Sequence, residues 1–224
     1  MNLKIMKKIL IIGIILFSIL SENIFAQKVQ LGIFVDPKIS WMTPDSKSVD
    51  KADSKIGVNV GLSIDNYFAP NYAFSTGISI NKVGGNLIFD NLKYISIHGN
   101  VDSLVAGSTL EYNLQYINIP LGLKLKTNEI GYFTFYTNLG LNTGINIKST
   151  GTSELNSLEK ENINDEIKLL DLGYYIGGGA EYSLGGNSSI TVGFTYTNGF
   201  IDITKPGNNK VVLSNIALRI GVLF

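Results

Sequence analysis

The chain has 224 residues, enough for one domain of ordinary size or two small ones; 45% are hydrophobic and 16% charged, below the roughly 25% charged of soluble domains. It has no cysteine and one histidine, His98, which excludes a disulfide framework, thiolate metal sites and multi-histidine zinc chemistry. Equal numbers of acidic and basic side chains and a pI near 6.6 argue against a nucleic-acid binder, and the hydrophobic fraction is too high for a disordered chain.

Residues 1–26 read as a cleavable export signal. Lys4, Lys7 and Lys8 form a positive start, Ile9 to Leu20 an apolar run, and Ser21 to Ala26 a polar exit ending in a small residue. The apolar run is shorter than the roughly 20 residues a spanning helix needs. Cleavage after Ala26 would leave 27–224 as one domain. It would also remove three lysines and Glu22, for a formal charge of −2. Without cysteine, a lipoprotein is excluded.

From Val29 onward the side chains alternate with period two, the mark of strands with one apolar and one polar face. At the C-terminal end Ile216, Leu218, Ile220, Val222 and Phe224 alternate with Asn215, Ala217, Arg219, Gly221 and Leu223. Eight such segments are expected, near 28–42, 55–67, 72–84, 109–127, 131–148, 169–184, 188–202 and 210–224. Each has the roughly 9–11 residues needed to cross a bilayer at a tilt. Short turns at 67–71, 127–130 and 185–187 alternate with longer connections at 43–54, 85–108, 149–168 and 203–209. The second face is glycine, serine, threonine, asparagine and tyrosine with few charges, which suits a narrow hydrated lumen better than bulk water. The expected fold is therefore all-β: an eight-stranded antiparallel up-and-down transmembrane barrel. Ten strands would require an added hairpin from Leu87 to His98, against which Val101 to Ala106 is too short to span.

Tyr116 to Lys126 reads Tyr-Ile-Asn-Ile-Pro-Leu-Gly-Leu-Lys-Leu-Lys and resembles the Tyr-Leu-x-Ile-Pro-Leu-x-x-Lys pattern of the PorT-like family of outer-membrane β-barrels, with Tyr116, Ile119, Pro120, Leu121 and Lys124 on the motif. Gly177 to Tyr182 is similar to the family's glycine-rich segment, and Tyr196 to Ile203 to its Tyr-x-x-Gly-x-x-Asp-Ile stretch. The resemblance implies an eight-stranded barrel in the outer membrane of a Gram-negative bacterium. It implies no single molecular function; the founding member is associated with protein secretion and surface display. Phe224 matches the terminal aromatic read by the insertion machinery in such barrels. Pro120, lacking a donor, predicts a local kink or bulge between Ile117 and Leu123.

With the apolar face toward lipid, Asp65, Lys124, Glu181 and Arg219 fall on the lumen side. Two acids and two bases in so narrow a space are expected to pair as a polar plug. The alternative is a gate in which Glu181 exchanges between Arg219 and Lys124. His98, with Asp90, Asp102 and Ser103 in one loop, is the only material for a serine-type site. Gly177 to Gly179 lacks the Lys-Ser/Thr of a phosphate loop. The charged stretch 149–168 is expected to be a solvated outer loop with room for a short helix. Trp41, Tyr67, Phe68, Tyr72, Tyr132, Tyr182 and Phe200 are expected at the membrane interfaces, and Tyr112, Tyr116, Tyr136 and Tyr175 in the lumen.

These features describe a non-enzymatic barrel with a polar, side-chain-filled lumen and loops for interaction or assembly. A narrow porin-like channel is the alternative, and a lipid or peptide hydrolase the third reading. The expected partners are outer-membrane lipid, the barrel-insertion machinery during biogenesis, and a protein at the surface or in the periplasm. No cofactor, metal or nucleic acid is expected, and the barrel is expected to be a monomer.

Overall fold

A computed structural model describes residues 28–45, 48–97, 100–205 and 210–224. The segment 1–26 expected to be an export signal, and His98, lie outside the described residues. Eleven strands are present: β1 (Lys28–Pro44), β2 (Val49–Ala69), β3 (Tyr72–Phe89), β4 (Lys93–Ile97), β5 (Asn100–Leu104), β6 (Ser108–Lys126), β7 (Phe133–Ser153), β8 (Leu158–Asn162), β9 (Leu170–Gly185), β10 (Ser188–Gly199) and β11 (Val211–Leu223). Eight of them close a ring in the order β6, β3, β2, β1, β11, β10, β9, β7 and back to β6, every pair antiparallel. Closure leaves no barrel strand with an unpaired edge along its spanning length.

The segments expected from alternation correspond to these eight: β1, β2, β3 and β7 are longer than expected, β6 and β9 have the expected length, and β10 and β11 are shorter. β2 and β7 have 21 residues each, β6 has 19 and β3 has 18, about twice what a bilayer crossing requires. Much of the connection expected at 85–108 is strand: Val49 pairs with Phe89, and Phe89 with Ser108. The remainder is the hairpin β4–β5, a separate two-stranded sheet with five residues per strand. The 149–168 stretch is likewise not all loop. β8 pairs with the end of β7, and a single 3-10 turn covers Asn164–Glu166.

The alternation has its expected sign across the middle of the barrel. On β1, Val29, Leu31, Ile33, Val35 and Ile39 are exposed on the outer surface, while Gln30, Phe34, Asp36, Lys38 and Ser40 are buried inside. Pro120 makes no bulge. The β6–β7 ladder runs through Pro120 opposite Asn142 without a shift, and the bulge lies at Gln115/Tyr116 instead. Toward β3 the ladder skips from Thr76–Leu121 to Ser79–Asn118 in unchanged register. There the Thr76 hydroxyl donates to the Pro120 carbonyl at 2.9 Å. A gap in one ladder thus accommodates the missing donor, so no extra residue is needed.

Candidate functional site: a lumen closed at two levels

Two groups of charges cross the lumen. Near the short-turn end, Lys124 of β6 lies 2.6 Å from Asp65 Oδ2 of β2 and 2.7 Å from Glu181 Oε1 of β9. Lys126 pairs with Glu181 Oε2, and the Ser75 hydroxyl donates to Asp65 Oδ1 at 2.6 Å. β2 and β9 stand four places apart in the eight-strand ring, on opposite walls, with β6 two places from each. Lys124 therefore ties opposite walls across the barrel. Its side chain is 7% exposed, and those of Asp65 and Glu181 3%. Ammonium and carboxylate so buried are tolerable only because they neutralise each other.

Arg219 belongs elsewhere. It donates to both carboxylate oxygens of Asp36, Nε to Oδ1 at 3.0 Å and Nη2 to Oδ2 at 2.9 Å, and lies 4.1 Å from the centre of the Phe34 ring. Asn59 adds a third donor to Asp36 at 3.0 Å. The structure thus brings Asp65, Lys124 and Glu181 together and places Arg219 in a separate pair, so Glu181 has Lys126, not Arg219, as its second base. Asp36, Lys38 and Lys126 are not among the lumen residues expected from sequence. Their signal was position: Lys126 shares the parity of Lys124, while Asp36 and Lys38 alternate with Val35, Pro37 and Ile39. Tyr67, expected at the interface, shares the parity of Asp65. It points inward, donating to Gln30 at 3.1 Å.

The glycine-rich segment receives aromatic side chains. A Cβ at Gly179 or Gly193 would meet the Tyr136 hydroxyl of β7, and one at Gly122 the hydroxyl of Tyr175. Bare backbone on one wall makes room for a ring from another.

Above the Arg219 pair is a cavity of about 60 Å³, lined by Asn59, Asn81, Asn118, Asn138, Asn142 and Asn215 together with Lys38 and Tyr175. The side-chain oxygens of Asn59, Asn81, Asn138 and Asn215 are buried without a protein hydrogen-bond partner. A polar chamber of that size has room for water. Above it the interior changes character. Met42, Leu87, Leu110, Tyr112, Leu114 and Tyr116 point inward and pack with Ile95, Ile97 and Leu104 of the β4–β5 hairpin, Ile163, Ile167 and Ile203. The lumen is polar only in its lower and middle parts; its loop end is an apolar core.

The motif residue Asp202 closes the rim of this core. Its Oδ1 accepts from the backbone N–H of Thr204 and Val211 and from the Thr204 hydroxyl, and its Oδ2 from Lys168 at 2.8 Å. Partial burial opposes its ionisation, but the Lys168 ammonium and these donors hold the carboxyl below its ordinary range. Aromatic side chains mark two belts outside. Trp41, Tyr174, Tyr196 and Phe200 associate at one level, and Phe68, Tyr72, Phe74, Tyr132, Phe133 and Tyr182 near the short turns.

A family model described as the outer membrane protein beta-barrel domain matches residues 25–205. The chain belongs to this family. It is an outer-membrane β-barrel, so the short turns face the periplasm and the long connections the cell exterior. Among solved structures, the barrel is similar to Neisserial surface protein A at 13% identity, covering 86% of this chain and 95% of that one with a TM-score of 0.47. It is also similar to the attachment invasion locus protein Ail of Yersinia pestis at 16% identity (88% and 99% covered, TM-score 0.43). OprG from Pseudomonas aeruginosa matches at 15% identity, with 87% and 93% covered and a TM-score of 0.44. No curated protein matches the chain.

Proposed function

We propose that this protein is a non-conducting, non-enzymatic outer-membrane barrel of the PorT-like kind, exported by the segment 1–26, which acts through a protein partner at its surface. The supporting observation is the double closure: a charge cluster bridging opposite walls at the periplasmic end and an apolar core filling the outer end. Between them the polar space is divided into small chambers, one of about 60 Å³ beside Arg219 and one of about 20 Å³ between Lys124 and Arg219. A hydrated ion has no continuous polar path through an apolar core, because crossing it costs the ion its hydration. The sequence from Tyr116 to Lys126, with Pro120 inside a barrel strand, supports the PorT-like reading. In planar lipid bilayers the purified, folded protein should give a flat current trace at all voltages. Reproducible unitary current steps would overturn this reading in favour of a narrow channel.

A further inference from the structure

Aromatic residues mark the outer interface on the β1, β9 and β10 side; on the β3, β6 and β7 side the corresponding boundary carries lysines. Ile80 of β3, Ile117 of β6 and Ile145 of β7 stand in one cross-strand row on the outer surface. The next row outward is Lys82, Gln115 and Lys148, two residues on along β3 and β6 and three along β7, where the bulge at Gln115/Tyr116 takes up the extra residue. Apolar rows below and this row above define where hydrocarbon gives way to headgroups.

The β2 bulge between Ser54 and Val58 brings Lys55 to the same patch. Its stem runs over Gly84, where an added Cβ would lie 3.2 Å from Lys55 Cδ, and its ammonium pairs with Glu111. Lys55, Lys82, Lys148 and Lys160 line one open groove of about 560 Å³ with Asn113 and Gln115. Lys160 is flanked in sequence by Glu159 and Glu161, and Lys55 is already paired. Lys82 and Lys148 carry the inference, because among the described residues neither has a carboxylate within 4 Å. Their strands are two apart, so their backbones are roughly 10 Å from each other with the Gln115 amide between them. Both flexible stems reach a phosphate seated over that amide.

We infer that Lys82, Gln115 and Lys148 form a seat for the phosphate-bearing headgroup of an anionic lipid in the outer leaflet, with Lys55 beside it. The isoleucine rows below provide the surface for its acyl chains. A free phosphate would leave that apolar wall unused, so the lipid is the occupant.

The full folded protein in zwitterionic detergent, titrated with dimyristoyl phosphatidylglycerol or dimyristoyl phosphatidylcholine and read by native mass spectrometry, tests this. The wild type should bind phosphatidylglycerol in preference to phosphatidylcholine. Each of Lys82→Gln and Lys148→Gln should weaken the anionic lipid about five-fold, the equivalent of ~1 kcal/mol per surface lysine, and leave phosphatidylcholine binding unchanged. Millimolar inorganic phosphate should not displace the lipid. A double variant, Lys205→Gln with Lys210→Gln, changes charge at outer-loop residues that do not line the groove and should retain wild-type affinity. Heat-modified gel migration checks that each variant is folded. The proposal is overturned if Lys82→Gln with Lys148→Gln binds phosphatidylglycerol within two-fold of wild type, if the loop pair loses as much, or if free phosphate competes.

Discussion

Lys124 is shared by carboxylates on opposite walls, so a single side chain ties the two sides of the barrel. Removing it while Asp65 and Glu181 remain leaves two buried carboxylates with too little positive charge, and breaking a buried pair in this way costs roughly 3–5 kcal/mol. Lys124→Met should therefore lower the urea midpoint of the barrel in lipid vesicles substantially. Adding Asp65→Asn and Glu181→Gln to that variant should recover most of the loss, since it removes the uncompensated charges. A triple variant no more stable than the single one would show that Lys124 acts through packing alone. Gly179 is a second residue of this kind. A methyl group there would run into the Val192 carbonyl and the Tyr136 hydroxyl. Gly179→Ala should cost roughly 1–3 kcal/mol in the same assay through overpacking.

At the scale of an element, the β4–β5 hairpin docks by inserting Ile95, Ile97 and Leu104 into the outer core, with the Ser96 N–H donating to Glu166 at 2.8 Å. It also draws in Lys93, whose ammonium lies 4.1 Å from the centre of the Phe89 ring. Burial lowers the pKa of Lys93 to about 8, with Glu166 working in the opposite direction. Below that pH the lysine is charged in the docked and undocked states alike, and docking bears the cost of burying it. Between about 8 and the ordinary value of 10.5 the docked hairpin binds fewer protons than the undocked one, so docking strengthens as pH rises. Hydrogen-exchange protection of the β4 and β5 amides, corrected for intrinsic rate, should increase over that window. In Lys93→Met the increase should vanish; if it persists, another group is responsible.

For the whole molecule, the two closures act in series, which gives the conductance a distinct expectation. Deleting residues 91–106 should open the outer core yet leave the bilayer trace flat, because Lys124 and its partners still span the lumen. Combining the deletion with Lys124→Ala and Glu181→Ala should produce ion current, and a conducting deletion alone would refute closure at the periplasmic end. How much of this was legible in sequence follows from where the alternation keeps its sign. Across the membrane the outer face is apolar and the inner face polar, so all eight spans could be read. Beyond the Lys82–Gln115–Lys148 row the sign reverses, with Leu87, Leu110 and Leu114 inside and Lys55 and Glu111 outside. That is the pattern of a soluble strand, and read under the membrane rule it looks like loop. Asp65, Lys124 and Glu181 could be placed on one face by parity. Their meeting depends on ring closure, which no single segment records, and the same is true of the glycine hollows that receive Tyr136 and Tyr175. The ring itself closes by pairing β1 with β11, residues separated by nearly the whole described chain. An export machine delivering the polypeptide from its N-terminus would hold a β1 whose partner does not yet exist. Until the last strand is present that edge has no partner within the chain, so closure of the ring waits on the C-terminal strand and cannot proceed strand by strand from the N-terminus.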